Sequence, residues 1–178
     1  MKESNHSQLN IATFAGGCFW CLVAPYESIN GVEAVISGYS GGKKKNPSYM
    51  EVVSGMTNHR EAVQVHYDAR KVDYKTLVEA YWKTIDPTDP DGQFADRGPQ
   101  YATAIFFNSP EEQEIAQTSK QKLEGSGKFD QAIATDILPF TSFYPAEEKH
   151  QQYYLKNPTH YKLYKEGSGR GSFLRENW

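Results

Sequence analysis

Ile11-Ala12-Thr13-Phe14-Ala15-Gly16-Gly17-Cys18-Phe19-Trp20-Cys21 is the stretch on which the fold turns. Residues 11–15 are mostly apolar and read as a short buried strand. The two glycines turn the chain, and residues 18–29 have helical character. Pro25 inside that segment predicts a kink or an early end. Outward from there, residues 32–39 read as a second strand, and a long loop through Lys43, Lys44 and Lys45 leads to Tyr49. Residues 61–68 alternate Val63, Val65 and Tyr67 with Ala62, Gln64 and His66, the period of a strand with one face on the core. Asp73 is placed to cap a helix over 73–85 whose stripe is Leu77, Val78, Tyr81, Trp82 and Ile85. Asp86, Pro87 and Pro90 end it, and the loop to Gln100 is long enough to suggest function. Residues 101–108 form a further strand, Ser109, Pro110 and Glu112 carry a capping-box signature for a helix closing near Gly125, and 132–137 is the last strand. The order β-α-β-β-α-β with an added α-β unit predicts an α+β two-layer sandwich with a ferredoxin-like core.

The 178 residues suit a single domain. Residues 1–9 read as a flexible polar tail, 143–178 as an extended wrapping segment, and 167–178 as a Gly-rich C-terminal tail. Hydrophobic residues make up 38% without the 14 glycines, which excludes a disordered or collagen-like chain. Nine Phe, three Trp and twelve Tyr supply rings enough to line a cleft. The net charge is −3 and the positive residues are scattered, which argues against nucleic acid as a partner. No apolar leader opens the chain and no run of about 18 apolar residues occurs, so the expectation is a cytoplasmic protein with no membrane segment. Nothing in the sequence demands more than a monomer.

Two cysteines, Cys18 and Cys21, are too few for a disulfide scaffold, and their spacing points to redox or metal chemistry. A structural zinc site needs four ligands, and neither a second cysteine pair nor a tightly spaced histidine pair exists, so no metal is expected. Free N–H groups at a helix start favour a thiolate by roughly 1 kcal/mol, or about 0.7 pKa unit. Further activation must come from neighbouring groups or from substrate. Residues i and i+3 share a helix face, so the two thiols can close on each other with a small adjustment, and Cys18 is the better placed nucleophile.

Gly17-Cys18-Phe19-Trp20 resembles the signature of the A-type peptide methionine sulfoxide reductases. The likeness continues through Gly38-Tyr39-Ser40-Gly41-Gly42, Asn46-Pro47-Ser48-Tyr49, Asn58-His59-Arg60-Glu61-Ala62-Val63, Gly98-Pro99-Gln100-Tyr101 and His150-Gln151-Gln152-Tyr153-Tyr154-Leu155-Lys156-Asn157-Pro158. The resemblance implies a reductase acting on the S epimer of methionine sulfoxide, free or in proteins, without a cofactor. Cys18 would be the nucleophile and Glu61 an acid kept protonated by an apolar pocket. Tyr49 and Tyr101 would donate to the sulfoxide oxygen, Asp96 would be a supporting carboxylate, and Phe19 and Trp20 would form the wall for the S-methyl group. His59 and His150 lie inside the motifs but are assigned no role in catalysis.

The chain also departs from the commoner pattern of that family. Many relatives have Gly where this one has Cys21, and they carry recycling cysteines in a Gly-rich tail that here holds none. Cys21 is therefore the sole internal candidate to resolve a Cys18 sulfenic acid as a Cys18–Cys21 disulfide, which thioredoxin or a similar dithiol would reduce. Val23 stands where many relatives have an acidic residue, and Pro25 is nearby. Two other readings stay open at this level: a thioredoxin-like disulfide oxidoreductase, and a redox sensor or binding module without turnover.

Overall fold

The computed structural model describes residues 8–178; most of the tail expected over 1–9 lies outside them. Strand β1 (Asn10–Ala15) leads through Gly16 and Gly17 into helix α1 (Trp20–Glu27), which delivers the chain to β2 (Val32–Ser40). A short helix α2 (Tyr49–Val53) precedes β3 (Arg60–Tyr67), and α3 (Tyr74–Trp82) follows it. The next segment holds a two-residue hairpin, β4 (Gly92–Gln93) and β5 (Asp96–Arg97), then a 3-10 turn, Pro99–Tyr101. Strand β6 (Ala104–Phe107), helix α4 (Pro110–Gly125), strand β7 (Asp136–Pro139) and strand β8 (Phe143–Pro145) come next. Three helices close the chain: α5 (Tyr153–Lys156), α6 (Pro158–Gly167) and α7 (Arg170–Asn177).

The main sheet has the order β7-β6-β1-β3-β2-β8. Its four central strands are mutually antiparallel, with Phe14 opposite both Val63 and Ile105. This is the ferredoxin-like arrangement: α1 links β1 to β2 with β3 between them, and α3 links β3 to β6 with β1 between them. The added unit β6-α4-β7 is parallel, Ala104 facing Asp136, as a helical crossover requires.

One face of the sheet is covered by α1 and α3. Phe14 stacks on Tyr26 at 5.3 Å and on Tyr81 at 5.2 Å, and Leu22, Leu77, Val78 and Ile85 fill the space between. Each such side chain contributes about 1.5–3 kcal/mol by burial. The phenols of Tyr26 and Tyr81 are satisfied internally, Tyr26 donating to the carbonyl of Leu77 and Tyr81 to that of Ala15. Ala15, Ala62, Ala104 and Phe106 form a smaller apolar layer with Leu138, Phe140 and Phe143.

Several expectations need correction. Tyr101 lies in the 3-10 turn and not in a strand, because Gly98-Pro99 breaks the extended path and β6 starts only at Ala104. The strand expected over 132–137 is β7, Asp136–Pro139, and it is not the last, since β8 in the segment read as wrapping pairs with β2; Ile133 is buried as part of the connection, held by a bond from the Ala134 N–H to the Pro87 carbonyl. At α4 the Ser109 hydroxyl accepts from the Glu112 N–H, but the Glu112 carboxylate accepts from Asn108 and not from Ser109. The complete capping box is at α2, between Ser48 and Glu51. The wrapping segment is largely helical, and the glycine-rich stretch read as a tail over 167–178 carries α7, with Arg170 buried.

Candidate active site

Gly17 adopts φ +79°, a conformation L side chains avoid, and a Cβ there would lie 2.6 Å from Gln93 Cβ. Glycine is thus required where β1 turns into α1. The turn puts Cys18 and Phe19 just before the first helical residue, with the backbone N–H of Phe19 free to point away from the helix. Glu61 Oε1 accepts from that N–H at 3.1 Å across 42 residues of sequence. The register of β3 against β2 pairs Glu61 with Tyr39, which fixes the carboxyl at the C-terminal end of β2, beside the Cys18 turn.

A cavity of about 260 Å³ opens here. It is lined by Cys18, Phe19 and Trp20 from the turn and α1, Tyr49 from the start of α2, Glu61 from β3, Asp96 from β5, Tyr101 from the 3-10 turn, and His160 and Tyr164 from α6. Seven of the eight residues singled out in the sequence therefore meet around one space. Cys21 is the eighth and does not line it; it is 2% exposed and lies behind Cys18, whose carbonyl accepts from the Cys21 N–H at 3.1 Å. The two thiols are hydrogen-bonded to each other, and no disulfide is formed.

Burial pushes the Glu61 carboxyl up to about 8, with the nearby negative charge of Asp96 and Cys21 adding to it against the Phe19 N–H. At neutral pH Glu61 is mainly the neutral acid, and because Oε1 is occupied as an acceptor, Oε2 carries the proton. Burial likewise raises Tyr49 to about 12 and raises Tyr101, so both hydroxyls are donors. Asp96 is raised by burial and accepts from the hydroxyl of Tyr164. Burial holds the Cys18 thiol well above its ordinary value, helped by its hydrogen bond to Cys21 and by Glu61. The same hydrogen bond, received by Cys21, brings Cys21 down to about 7.

Trp20 stacks on Tyr153 at 3.8 Å and 8°, and its indole N–H donates to His150 Nδ1 at 3.2 Å, which assigns that imidazole as neutral. His150 also packs on Phe19 at 5.3 Å and on Tyr49 at 4.4 Å. His59 is buried away from the cavity, bonded to the Gly42 N–H and the Lys44 carbonyl. Both histidines hold loops in place.

Several neighbours escaped the sequence reading. Glu147 accepts from the Tyr39 hydroxyl at 3.0 Å and from the Tyr49 N–H at 3.2 Å, clamping α2 to β2. His160 and Tyr164 come from a segment without a clear apolar period, and Arg170 sits among glycines, where a solvated charge is the ordinary expectation. Among the described residues no group of three or more His, Cys, Asp or Glu could hold a metal ion, and no helix is long and apolar enough to cross a membrane.

A buried thiol pair at a strand-to-helix turn, facing a neutral acid and two phenols, is suited to thiol attack on a small group that leaves oxygen behind. Comparison with known proteins agrees with that chemistry. The family model described as peptide methionine sulfoxide reductase matches residues 10–178. The chain is 52% identical over 168 residues to the peptide methionine sulfoxide reductase MsrA of Bacillus subtilis, covering 94% of this chain and 95% of that one. It is also 52% identical over 171 residues to the MsrA of Halalkalibacterium halodurans, covering 96% and 97%. Reduced Mxr1 from Saccharomyces cerevisiae superposes with a TM-score of 0.78 at 30% identity, covering 88% of this chain and 90% of that one; the yeast protein has also been solved in complex with Trx2. With the family model spanning the whole catalytic turn, the cavity and the C-terminal helices, this chain belongs to the peptide methionine sulfoxide reductase family, type A.

Proposed function

We propose that this chain acts as one catalytic domain that reduces methionine-S-sulfoxide, free or in proteins, through a Cys18 sulfenic acid and a Cys18–Cys21 disulfide. The observation that carries the reading is the convergence of Cys18, a neutral Glu61 and the Tyr49 and Tyr101 hydroxyls on one small cavity. Cys18 gives up its proton as it attacks the sulfoxide sulfur. Glu61 gives a proton to the oxygen, and the two phenols stabilise the charge that builds there. Phe19 and Trp20 hold the S-methyl group, and Asp96 supports the polar side through Tyr164. The net result is methionine and oxidised Cys18; Cys21 then closes the disulfide with loss of water. One asymmetric pocket takes one epimer.

The recycling reductant is thioredoxin or a similar dithiol, in keeping with the thioredoxin complex solved for yeast Mxr1. Two free, buried cysteines accord with a reducing compartment, and a cytoplasmic location is part of the proposal.

Glu61→Gln separates this reaction from plain disulfide exchange, which has no oxygen to protonate. Sulfoxide turnover is expected to fall about 10²–10⁴-fold, while disulfide exchange by the same thiols is spared. Unchanged sulfoxide turnover would remove Glu61 from the mechanism.

A further inference from the structure

Arg170, the first residue of α7, is 1% exposed and carries a positively charged guanidinium. Burying such a charge costs several kcal/mol unless an anion answers it. Its hydrogen bonds run to two backbone carbonyls, Thr84 at 2.7 Å and Gly16 at 3.0 Å, and its Cζ lies 4.8 Å over the Phe94 ring. Among the described residues it forms no ion pair with a carboxylate. The Gly16 carbonyl is two residues from Cys18, and a Cβ on Gly17 would come within 2.8 Å of Nη2. The positive charge is therefore pinned under the turn that presents the thiols.

We propose that Arg170 is a positioning residue whose fixed positive charge holds Cys21 as a thiolate for the resolving step. Gly16 and Thr84 carbonyls orient the guanidinium, but a neutral donor would suffice for that task. Around the thiol pair stand Glu61 from β3, Asp96 from β5, Lys165 and Tyr161 from α6, and Arg170 from α7. The Cys18 thiol does most to lower Cys21 and burial opposes it; Arg170 and, more weakly, Lys165 add to the lowering, and Asp96 works against them. In the step itself the Cys21 thiolate attacks the Cys18 sulfenic sulfur. The S–S bond forms, the S–O bond breaks, and hydroxide leaves with a proton as water. Cys18 carries the oxidising equivalent from the sulfoxide, so no outside oxidant enters. The inference rests on the reading of Cys21 as the resolving thiol.

The test compares wild type with Arg170→Gln, which keeps an N–H donor without charge, and Arg170→Lys, which keeps the charge. After one equivalent of blocked methionine sulfoxide, sulfenic acid is trapped with dimedone and disulfide closure is timed from pH 6 to 10. The expectation is an unchanged yield of methionine, closure slowed about tenfold at pH 7 in Arg170→Gln with more sulfenic acid trapped and recovery at high pH, and substantial rescue in Arg170→Lys. Equal closure rates and pH midpoints in wild type and a folded Arg170→Gln would overturn it, since a merely structural arginine would change stability without moving the midpoint. Failure of wild type to release methionine would instead count against the reductase reading. Should the neutral variant fail to fold, Arg170→Lys carries the test: a closure rate and pH midpoint close to wild type are expected, and closure slowed about tenfold in that folded, still charged variant overturns the proposal.

Discussion

At the scale of the residue, the central oddity is Glu61, a carboxyl 2% exposed that accepts one backbone N–H and faces a thiol. Because burial raises it to about 8, its contribution to stability is fully present below its unfolded value of about 4.3 and is lost as the pH rises through 8. Glu61→Gln is expected to gain on wild type in denaturant unfolding between pH 5 and 9, by on the order of a few kcal/mol. A constant difference across that range would mean Glu61 is ionised throughout. The acid role has the same sign, so turnover should fall as the pH passes about 8. Tyr49→Phe and Tyr101→Phe each remove one donor and are expected to lower kcat more than they raise KM, about tenfold or more apiece. An effect confined to KM would make them ground-state contacts. Cys18, Glu61 and the two tyrosines could be named from sequence because each sits in a short motif. Arg170 and Glu147 could not, since their partners are backbone groups and hydroxyls far along the chain.

At the scale of the element, α1 combines two demands. It must hold Cys18 and Cys21 apart when reduced and let them meet when oxidised. Pro25 lies inside this eight-residue helix and removes the i+4 donor to the carbonyl of Cys21 itself. The helix is thereby weakened where the disulfide has to close. Pro25→Ala is expected to raise stability by about 1–3 kcal/mol and to slow closure of the Cys18–Cys21 disulfide, read by thermal unfolding and by loss of free thiol after one sulfoxide equivalent. Faster closure in that variant would contradict the role given to the proline. The sequence led to expect a kink or break at Pro25, and the helix does run only two residues past it. Long periodic elements such as α3 and β3 were legible for the same reason, that one face packs on a core. The β4–β5 hairpin, α2 and the Pro99–Tyr101 turn were not, being too short to show a period; their order comes from local bonds such as the Ser48–Glu51 box.

At the scale of the whole molecule, the ferredoxin-like core supplies the turn and the acid, and the C-terminal helices complete the cavity with His160 and Tyr164 and lock Trp20 by stacking. The ferredoxin-like order of the four central strands was readable from the succession of elements, whereas β8 is only three residues long and the C-terminal helices carry few buried apolar residues, so neither gave a pattern to read. Tyr153→Ala removes the stacked partner of Trp20 and is expected to cost about 1–2 kcal/mol, lowering the melting temperature by several degrees, and to raise KM for sulfoxide. An unchanged KM would detach the C-terminal cover from substrate binding. The account as a whole is tested most directly by turnover of the separated S and R epimers of a blocked methionine sulfoxide, with dithiothreitol and then thioredoxin as reductant, in wild type and Cys21→Ser. It predicts turnover of the S epimer only, and in Cys21→Ser one equivalent of sulfenic acid with the thioredoxin-driven rate lost. Turnover of neither epimer, or a thioredoxin-driven rate that survives without Cys21, would contradict it.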